Sequence, residues 1–348
     1  MSKRSAPLSL AILGAAAMLL TSCASPSTPT GTGTAGSLTT IRVGHTTDLS
    51  NAPIYIAEAK GYFADEGVEV QDESITSGAT GMSLVAAGQI EVLQAGLSAG
   101  YFNIVQQGLA LTIVGGGAVV PDPATAGGPV PAGLLVRKEL VDDGTVASVA
   151  DLKGLKVGVP GGPGAALAYY TDEVLRSAGL SLADVQIQNV GVADTETALQ
   201  SGAIDASIGV EPFATQAVND GVAVDFAPVP VGDGVAAMIY NTDFSSTPAA
   251  TGYYRAMVRA SCDLVGADAK SPETLSILSE ALGVPEDQIA ATPFYAFEIP
   301  PGVENVEKMQ KLWVGNGQTE YTELLPIDRL INDSFAKQNP VDEICEGR

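Results

Sequence analysis

Five short stretches hold the residues best suited to binding chemistry. Gly161-Gly162-Pro163-Gly164 runs into an apolar, helix-forming segment. Glycines allow tight turns, and the first N–H groups of a helix point outward beside the positive end of its dipole. Such a loop can hold an anionic head without lysine or arginine, although Gly-Pro loops also serve simply as turns. Gly161, Gly162 and Gly164 are therefore candidate ligand contacts. Ser77-Gly78-Ala79-Thr80 offers hydroxyls and amides at another helix start. Ser77, Gly78 and Thr80 are candidates there, with helix capping as the plain structural alternative. His45, the single histidine, follows an apolar strand-like run and precedes Thr46, Asp48 and Asn51. Imidazole exchanges protons near neutral pH, and Asp48 suits either a ligand donor or the cap of the next helix. Ser98 and Tyr101 occupy one further turn, and Glu211-Pro212-Phe213 another. Phe213 can stack on a ring and Glu211 can accept from a donor, against core packing and a helix-start charge as their structural roles.

The elements that must position these loops are readable from a repeat. Ile41-Arg42-Val43-Gly44 is matched by Leu155-Lys156-Val157-Gly158. Leu84-Val85-Ala86-Ala87-Gly88-Gln89-Ile90-Glu91 is matched by Ala198-Leu199-Gln200-Ser201-Gly202-Ala203-Ile204-Asp205, at the same offset of 114 residues. In the first copy the spacing predicts strands over 41–44, 69–72 and 92–95 and helices over 52–60 and 77–87. In the second it predicts strands over 156–159, 184–189 and 206–209 and helices over 165–177 and 194–200.

Alternating strands and helices give a parallel sheet clothed on both faces, with ligands bound beyond the carboxyl ends of the strands. Two such lobes facing each other make one cleft, lined by equivalent loops: 45–51 with 159–165, 77–80 with 191–194, and 97–101 with 211–215. None of these loops contains lysine or arginine. The Gly- and Pro-rich segment 115–131 reads as an irregular crossing, 134–137 as the start of the second lobe and 235–240 as a strand returning to the first. Helices are expected over 253–262, 272–282, 285–289 and 303–313. The resulting division is 39–131 with 232–348 for lobe 1, and 132–231 for lobe 2.

The N-terminus reads as an address. Lys3 and Arg4 precede an apolar run from Leu8 to Leu20, about the length of a signal-peptide core and short for a membrane span. It ends in Leu20-Thr21-Ser22-Cys23, the form of a bacterial lipobox. Residues 1–22 are thus read as a lipoprotein signal peptide and Cys23 as the lipidation site. The uncharged Ser, Thr, Gly and Pro segment that follows, 23–38, reads as a flexible tether. The expected location is extracytoplasmic, anchored to the bacterial cell membrane.

The net charge is −23, and near −25 without residues 1–22, which excludes nucleic-acid binding and adhesion to anionic lipid through a basic patch. Cys262 and Cys345 remain as an even pair in an oxidising compartment, read as a disulfide with two free thiols as the alternative. One histidine and no metal-ligand spacing argue against a metal site, and no cofactor is expected.

The sequence also resembles a known family. Ala52-Pro53-Ile54-Tyr55-Ile56-Ala57-Glu58-Ala59-Lys60-Gly61-Tyr62-Phe63, with Glu66-Gly67-Val68-Glu69-Val70, is similar to the first-helix signature of substrate-binding proteins for nitrate, sulfonates, taurine and thiamine-precursor pyrimidines, the NMT1/THI5-like family. Asp151-Leu152-Lys153-Gly154-Leu155-Lys156-Val157-Gly158-Val159 resembles its second-lobe start, and Ser201-Gly202-Ala203-Ile204-Asp205-Ala206 with Glu211-Pro212-Phe213 a later signature. The resemblance implies an α/β fold of two doubly wound lobes joined by a hinge, periplasmic-binding-protein-like II. It implies a carrier that delivers a small anion or small heterocycle to the permease and ATPase subunits of an ABC importer, and a monomer is the simplest expectation for a tethered carrier. One branch of this superfamily makes the thiamine pyrimidine with pyridoxal phosphate and carries a cysteine-rich motif. This chain has no cysteine between Cys23 and Cys262, no cofactor lysine in the cleft loops and a single histidine, so it is not expected to be an enzyme. A pyrimidine-precursor synthase-like activity and a ligand-sensing role beside a membrane receptor are the alternative readings.

Overall fold

Short apolar runs closed by glycine or a polar residue supply the strands. In the computed structural model, which describes residues 37–347 apart from Thr125 and Gly127, they form two five-stranded sheets and one two-stranded sheet. The signal peptide, Cys23 and all of the tether but Ser37 and Leu38 lie outside the described residues.

The strands are β1 (Thr39–His45), β2 (Val68–Ser74), β3 (Val92–Gly96), β4 (Leu111–Gly115), β5 (Gly117–Val119), β6 (Leu134–Arg137), β7 (Lys156–Gly158), β8 (Gln186–Gln188), β9 (Ala206–Ile208), β10 (Ala223–Ala227), β11 (Ala236–Asn241) and β12 (Ala296–Glu298). The first sheet has the order β2-β1-β3-β11-β4 and the second β10-β6-β9-β7-β8. Read from its far edge, the second follows the same plan as the first. Both are flanked by helices, giving the two doubly wound α/β lobes.

The 114-residue repeat is written into the strand register. Val43 pairs with Val92 and Val157 with Ala206, each pair being the other shifted by 114. A Cβ on Gly44 would lie 2.8 Å from Ile90 Cδ1, and one on Gly158 2.7 Å from Ile204 Cδ1. Both positions therefore require glycine for the same packing reason. The Arg42 N–H donates to the Glu91 carboxylate at 2.7 Å, and the Lys156 N–H to that of Asp205 at 3.0 Å. One acid per copy thus ties the backbone of the first strand to the residue before the third.

The sheets are mixed where the sequence pattern predicts parallel ones. β11 runs antiparallel to both β3 and β4, and β6 antiparallel to both β9 and β10. These two strands are the ones the chain reaches on crossing between lobes. They begin on the cleft side, where the parallel strands end, and so must run the opposite way. The crossings lie side by side, joined by a Val119–Gly234 bridge and a Gly232 N–H donating to Val120 O at 2.9 Å. They form the hinge. The segment expected to be irregular contains β5, which pairs antiparallel with β12.

Buried side chains pack into one cluster spanning both lobes, one beneath the outer helices of the first sheet, and a smaller one in the second lobe. Cys262, at the end of the helix Pro248–Cys262, is joined by a disulfide to Cys345 in the helix Val341–Glu346. Among the described residues no helix is long and apolar enough to cross a membrane.

Candidate functional site

A cavity of about 110 Å³ lies between the lobes, at the carboxyl ends of the parallel strands. Five of the six loops named from the sequence contribute to its wall. The loop after β1 brings Thr46, Asp48 and Ser50, and that after β7 brings Pro160 and Ala165. Ser77, Gly78 and Ala79 come from the start of the helix Gly78–Ala86, Ser98 from the turn after β3, and Val192 from the loop after β8. The loop 211–215 does not reach the wall; Gly209 and Val210 just before it do.

Of the fourteen candidate contacts, Thr46, Asp48, Ser77, Gly78 and Ser98 line the cavity. Asp48 is buried, and its Oδ1 accepts from the Ser50 N–H at 2.8 Å and from the Ser50 hydroxyl. Ser77 caps its helix by accepting from the Thr80 N–H at 3.3 Å, so Thr80 serves the cap and stays off the wall. Ser98 is 2% exposed and its Oγ has no hydrogen-bond partner among the described residues.

The other candidates are turned to structural tasks. His45 Nδ1 lies 3.1 Å from the Thr46 carbonyl, and Asn51 donates to that same oxygen at 2.9 Å. Tyr101 is wholly buried, its hydroxyl donating to Leu330 O and accepting from the Ile113 N–H. Glu211 accepts with one carboxylate oxygen from the Ala132 N–H at 3.1 Å and with the other from the Thr215 N–H at 3.0 Å. Burial pushes its carboxyl above the usual range, while those two donors pull the other way. Phe213 begins its helix half-buried and off the wall. Gly161 donates its N–H to Asn189 Oδ1, Gly162 hydrogen-bonds back to Val159 O, and Gly164 accepts from Ala99 across the cleft. The Gly-rich loop thus shapes the gap, while the wall itself is made by Ala165, Ala166 and Leu167 at the following helix start.

Tyr170 and Tyr295 complete the wall, with Val120, Ala132, Ile208, Val229 and Val235 among its apolar members. Sequence reasoning missed both tyrosines as wall residues. Tyr170 sits one turn into the helix Ala166–Ser177, and Tyr295 immediately precedes β12, whose pairing with β5 no local pattern announces. Among the described residues the wall holds no lysine, arginine, histidine or cysteine. No cluster of three or more His, Cys, Asp or Glu is placed to hold a metal among those residues.

Gly96-Leu97-Ser98-Ala99-Gly100 was also missed. It has the spacing Gly-x-Ser-x-Gly between a strand and a helix, the setting of a hydrolase nucleophile elbow. An elbow serine is strained and hydrogen-bonded to a base. Ser98 instead has relaxed extended backbone (φ −119°, ψ 163°) and no partner for its hydroxyl. It is a free donor in the wall and lacks the activation a nucleophile needs.

The lobes are drawn together around the cavity. The Leu49 N–H donates to Glu211 O at 3.1 Å, and the Ala99 N–H to Gly164 O at 2.9 Å. Asp233, on the return crossing, accepts from the Tyr169 hydroxyl at 2.5 Å and from Lys308 at 3.0 Å, while its carbonyl accepts from Tyr170.

The NMT1/THI5-like family model matches residues 49–229, just over half of the 348-residue chain. The chain belongs to that family. Among curated relatives of this family member is the riboflavin-binding protein RibY of Chloroflexus aurantiacus, 28% identical over 64% of this chain and 61% of that protein. Another is the 4-amino-5-hydroxymethyl-2-methylpyrimidine phosphate synthase of Aspergillus parasiticus, 26% identical over 46% of this chain and 42% of the enzyme. The chain thus spans less than two thirds of either relative's length. Among solved structures, the alkanesulfonate-binding protein SsuA of Xanthomonas axonopodis pv. citri is 18% identical, with a TM-score of 0.66 over 82% of this chain and 96% of that one. That likeness carries the fold: a periplasmic-binding-protein architecture.

Proposed function

We propose that this chain is the extracytoplasmic solute-binding component of an ABC importer, anchored through lipid on Cys23 and working as a single chain. Lobe 1 comprises 39–131 and 232–348 in this reading and lobe 2 comprises 132–231. A small solute is captured between them and presented, in the closed state, to the permease and ATPase subunits. The observation that carries the reading is the cavity: its wall draws on equivalent loops of both repeats, and backbone hydrogen bonds between lobes close around it. A solute touching both sides stabilises the closed state by its differential affinity for it. The names of the relatives, which bind riboflavin and an alkanesulfonate, support a solute-binding role.

The test is native mass spectrometry of the purified protein, followed by thermal melting after unfolding and refolding to remove any carried molecule. A carried solute that raises the melting temperature when added back is the expected result. A micromolar carrier would gain about 2.7 kcal/mol of stability at a hundredfold excess of solute over Kd. No carried molecule, and no shift with inorganic oxyanions, sulfonates, amino acids or heterocycles, would overturn the proposal.

A further inference from the structure

We infer that Asp233, a residue off the cavity wall, is a latch between the lobes: it positions the wall residue Tyr170 and favours the closed arrangement through bonds in which no solute takes part. This rests on the two-lobe solute-binding reading above and adds the residue that sets its resting equilibrium.

Asp233 lies on the return crossing, between Gly232, whose φ of +76° makes the turn, and Gly234, which bridges to Val119. It is 8% exposed, yet forms no part of the wall. Its two carboxylate oxygens serve opposite lobes. Oδ2 accepts from the Tyr169 hydroxyl at 2.5 Å, on the helix Ala166–Ser177 of lobe 2. Oδ1 accepts from Lys308 Nζ at 3.0 Å, on the helix Val303–Gly315. That helix is seated on lobe 1, with the Trp313 and Phe102 ring centroids 5.6 Å apart. Asn305, its amide turned to suit both neighbours, gives Oδ1 a second donor at 3.0 Å and accepts from the Gly234 N–H at 2.8 Å.

The carbonyl of Asp233 accepts from the Tyr170 hydroxyl at 2.5 Å. Two successive side chains of the lobe 2 helix thus grip one residue of the crossing, and the second of them presents its ring to the cavity. Hydrogen bonds to an ionised acceptor are about twice as strong as neutral ones, and a carboxylate buried this far needs its donors. Burial, and then the facing carboxylate, push the Tyr169 hydroxyl well above its ordinary range, so it remains a donor.

When lobe 2 swings away, the tyrosine bonds must break, while those from Lys308 and Asn305 travel with Asp233. Opening therefore costs free energy whether or not the cavity is filled. A solute meets a cleft already biased toward the arrangement that binds it.

The test is the distance between two spin labels, at E73C near the end of β2 and A193C in the turn after β8, both exposed positions. The full chain carries C23S, keeps Cys262 and Cys345 in their disulfide, and is freed of carried solute. This labelled parent should populate a short distance in a measurable share. D233N and Y169F should each shift the ratio toward the long distance by about fivefold or more. Y169F should add little to D233N, because both remove the same bond. Each variant keeps the bulk of its side chain, so circular dichroism and melting should stay near the parent. A parent that shows only the long distance, an unchanged ratio in either folded variant, or additive shifts in the double variant overturns the inference. So does a loss of melting temperature with the distances unchanged, which would assign Asp233 to the fold alone. None of these outcomes touches the solute-binding reading, which fails separately if no solute is carried or bound, however the lobes move.

Discussion

At Thr46 the wall is set as much by a carbonyl as by a side chain. His45 Nδ1, Asn51 Nδ2 and the Tyr55 hydroxyl all approach Thr46 O, at 3.1, 2.9 and 3.3 Å. The other ring nitrogen of His45 lies 3.4 Å from Asp72 Oδ1, close enough for an ion pair though not aligned as a hydrogen bond. Burial alone would push the imidazole pKa down. Asp72, the Thr46 carbonyl and the charge of Asp48 outweigh it, so the pKa lies above 6.5. Glu58, raised first by its own burial and then by Asp72, belongs to the same group of charges. A raised pKa means that the charged ring contributes its full stability below the unfolded value of 6.5 and loses it as pH climbs through the folded value. H45Q should therefore cost about 1 kcal/mol at pH 5.5, and the deficit should shrink toward pH 9, measured by urea unfolding at both. A deficit independent of pH would remove the ring's charge from the account. Ser98 makes the opposite prediction. A buried hydroxyl without a partner gains nothing from folding, so S98A should leave the solute-free protein as stable as before or up to about 1 kcal/mol more so, while weakening the carried solute severalfold. A marked loss of stability without solute would show that Ser98 has a structural partner after all.

At the scale of elements, the disulfide acts as a strap on the first lobe. It joins the helix Pro248–Cys262, buried against the first sheet's core, to the half-exposed helix Val341–Glu346 across a sequence separation of 83 residues. A loop of that length confines the unfolded chain by about 4.5 kcal/mol in the chain-entropy picture. C345S should lose about 2–5 kcal/mol in chemical denaturation, with solute affinity unchanged because neither helix lines the cavity. A fall in affinity as large as the fall in stability would place the strap in the closure mechanism. The repeat was legible because its signature residues do paired structural work: Gly44 and Gly158 admit Ile90 and Ile204, and Glu91 and Asp205 hold the backbone of the first strand. Strand direction was not legible for β6 and β11, since it depends on the side from which the chain arrives rather than on the strand's own residues. The β5–β12 pairing joins segments nearly 180 residues apart and left no periodic trace. For the site, position along the chain identified the loops, but not which way a side chain turns. Glu211, His45 and Tyr101 follow the expected strand ends, yet each finds backbone partners within the protein. Thr46, Asp48 and Ser98, from the same kinds of loop, line the gap.

For the whole molecule, function in this reading is an equilibrium between separated and closed lobes, and the closed contacts show what sets it. One close approach sets Gly96, on the end of β3 in one lobe, against Ala166, which opens the helix Ala166–Ser177 in the other. A Cβ added to Gly96 would sit 2.5 Å from the Ala166 Cβ. That is an overpacked contact between lobes rather than within one, so relief comes from opening and not from unfolding. G96A should therefore weaken solute affinity by about 1–3 kcal/mol, roughly five- to 150-fold, while leaving the solute-free melting transition close to wild type. The rescue lies on the other side of the same contact. Ala166 stands at the first position of its helix, where glycine is tolerated better than in the interior, and A166G removes the methyl that G96A meets. The double variant should recover most of the lost affinity for the solute the wild type carries, and the coupling between the two sites should approach the cost of G96A alone. Small-angle scattering supplies the geometric half: saturating solute should compact wild type and the double variant, and compact G96A less at equal concentration. Additive losses in the double variant would show that the methyl acts inside the first lobe, and closure would then have to be limited elsewhere, at the Leu49–Glu211 or Ala99–Gly164 hydrogen bonds.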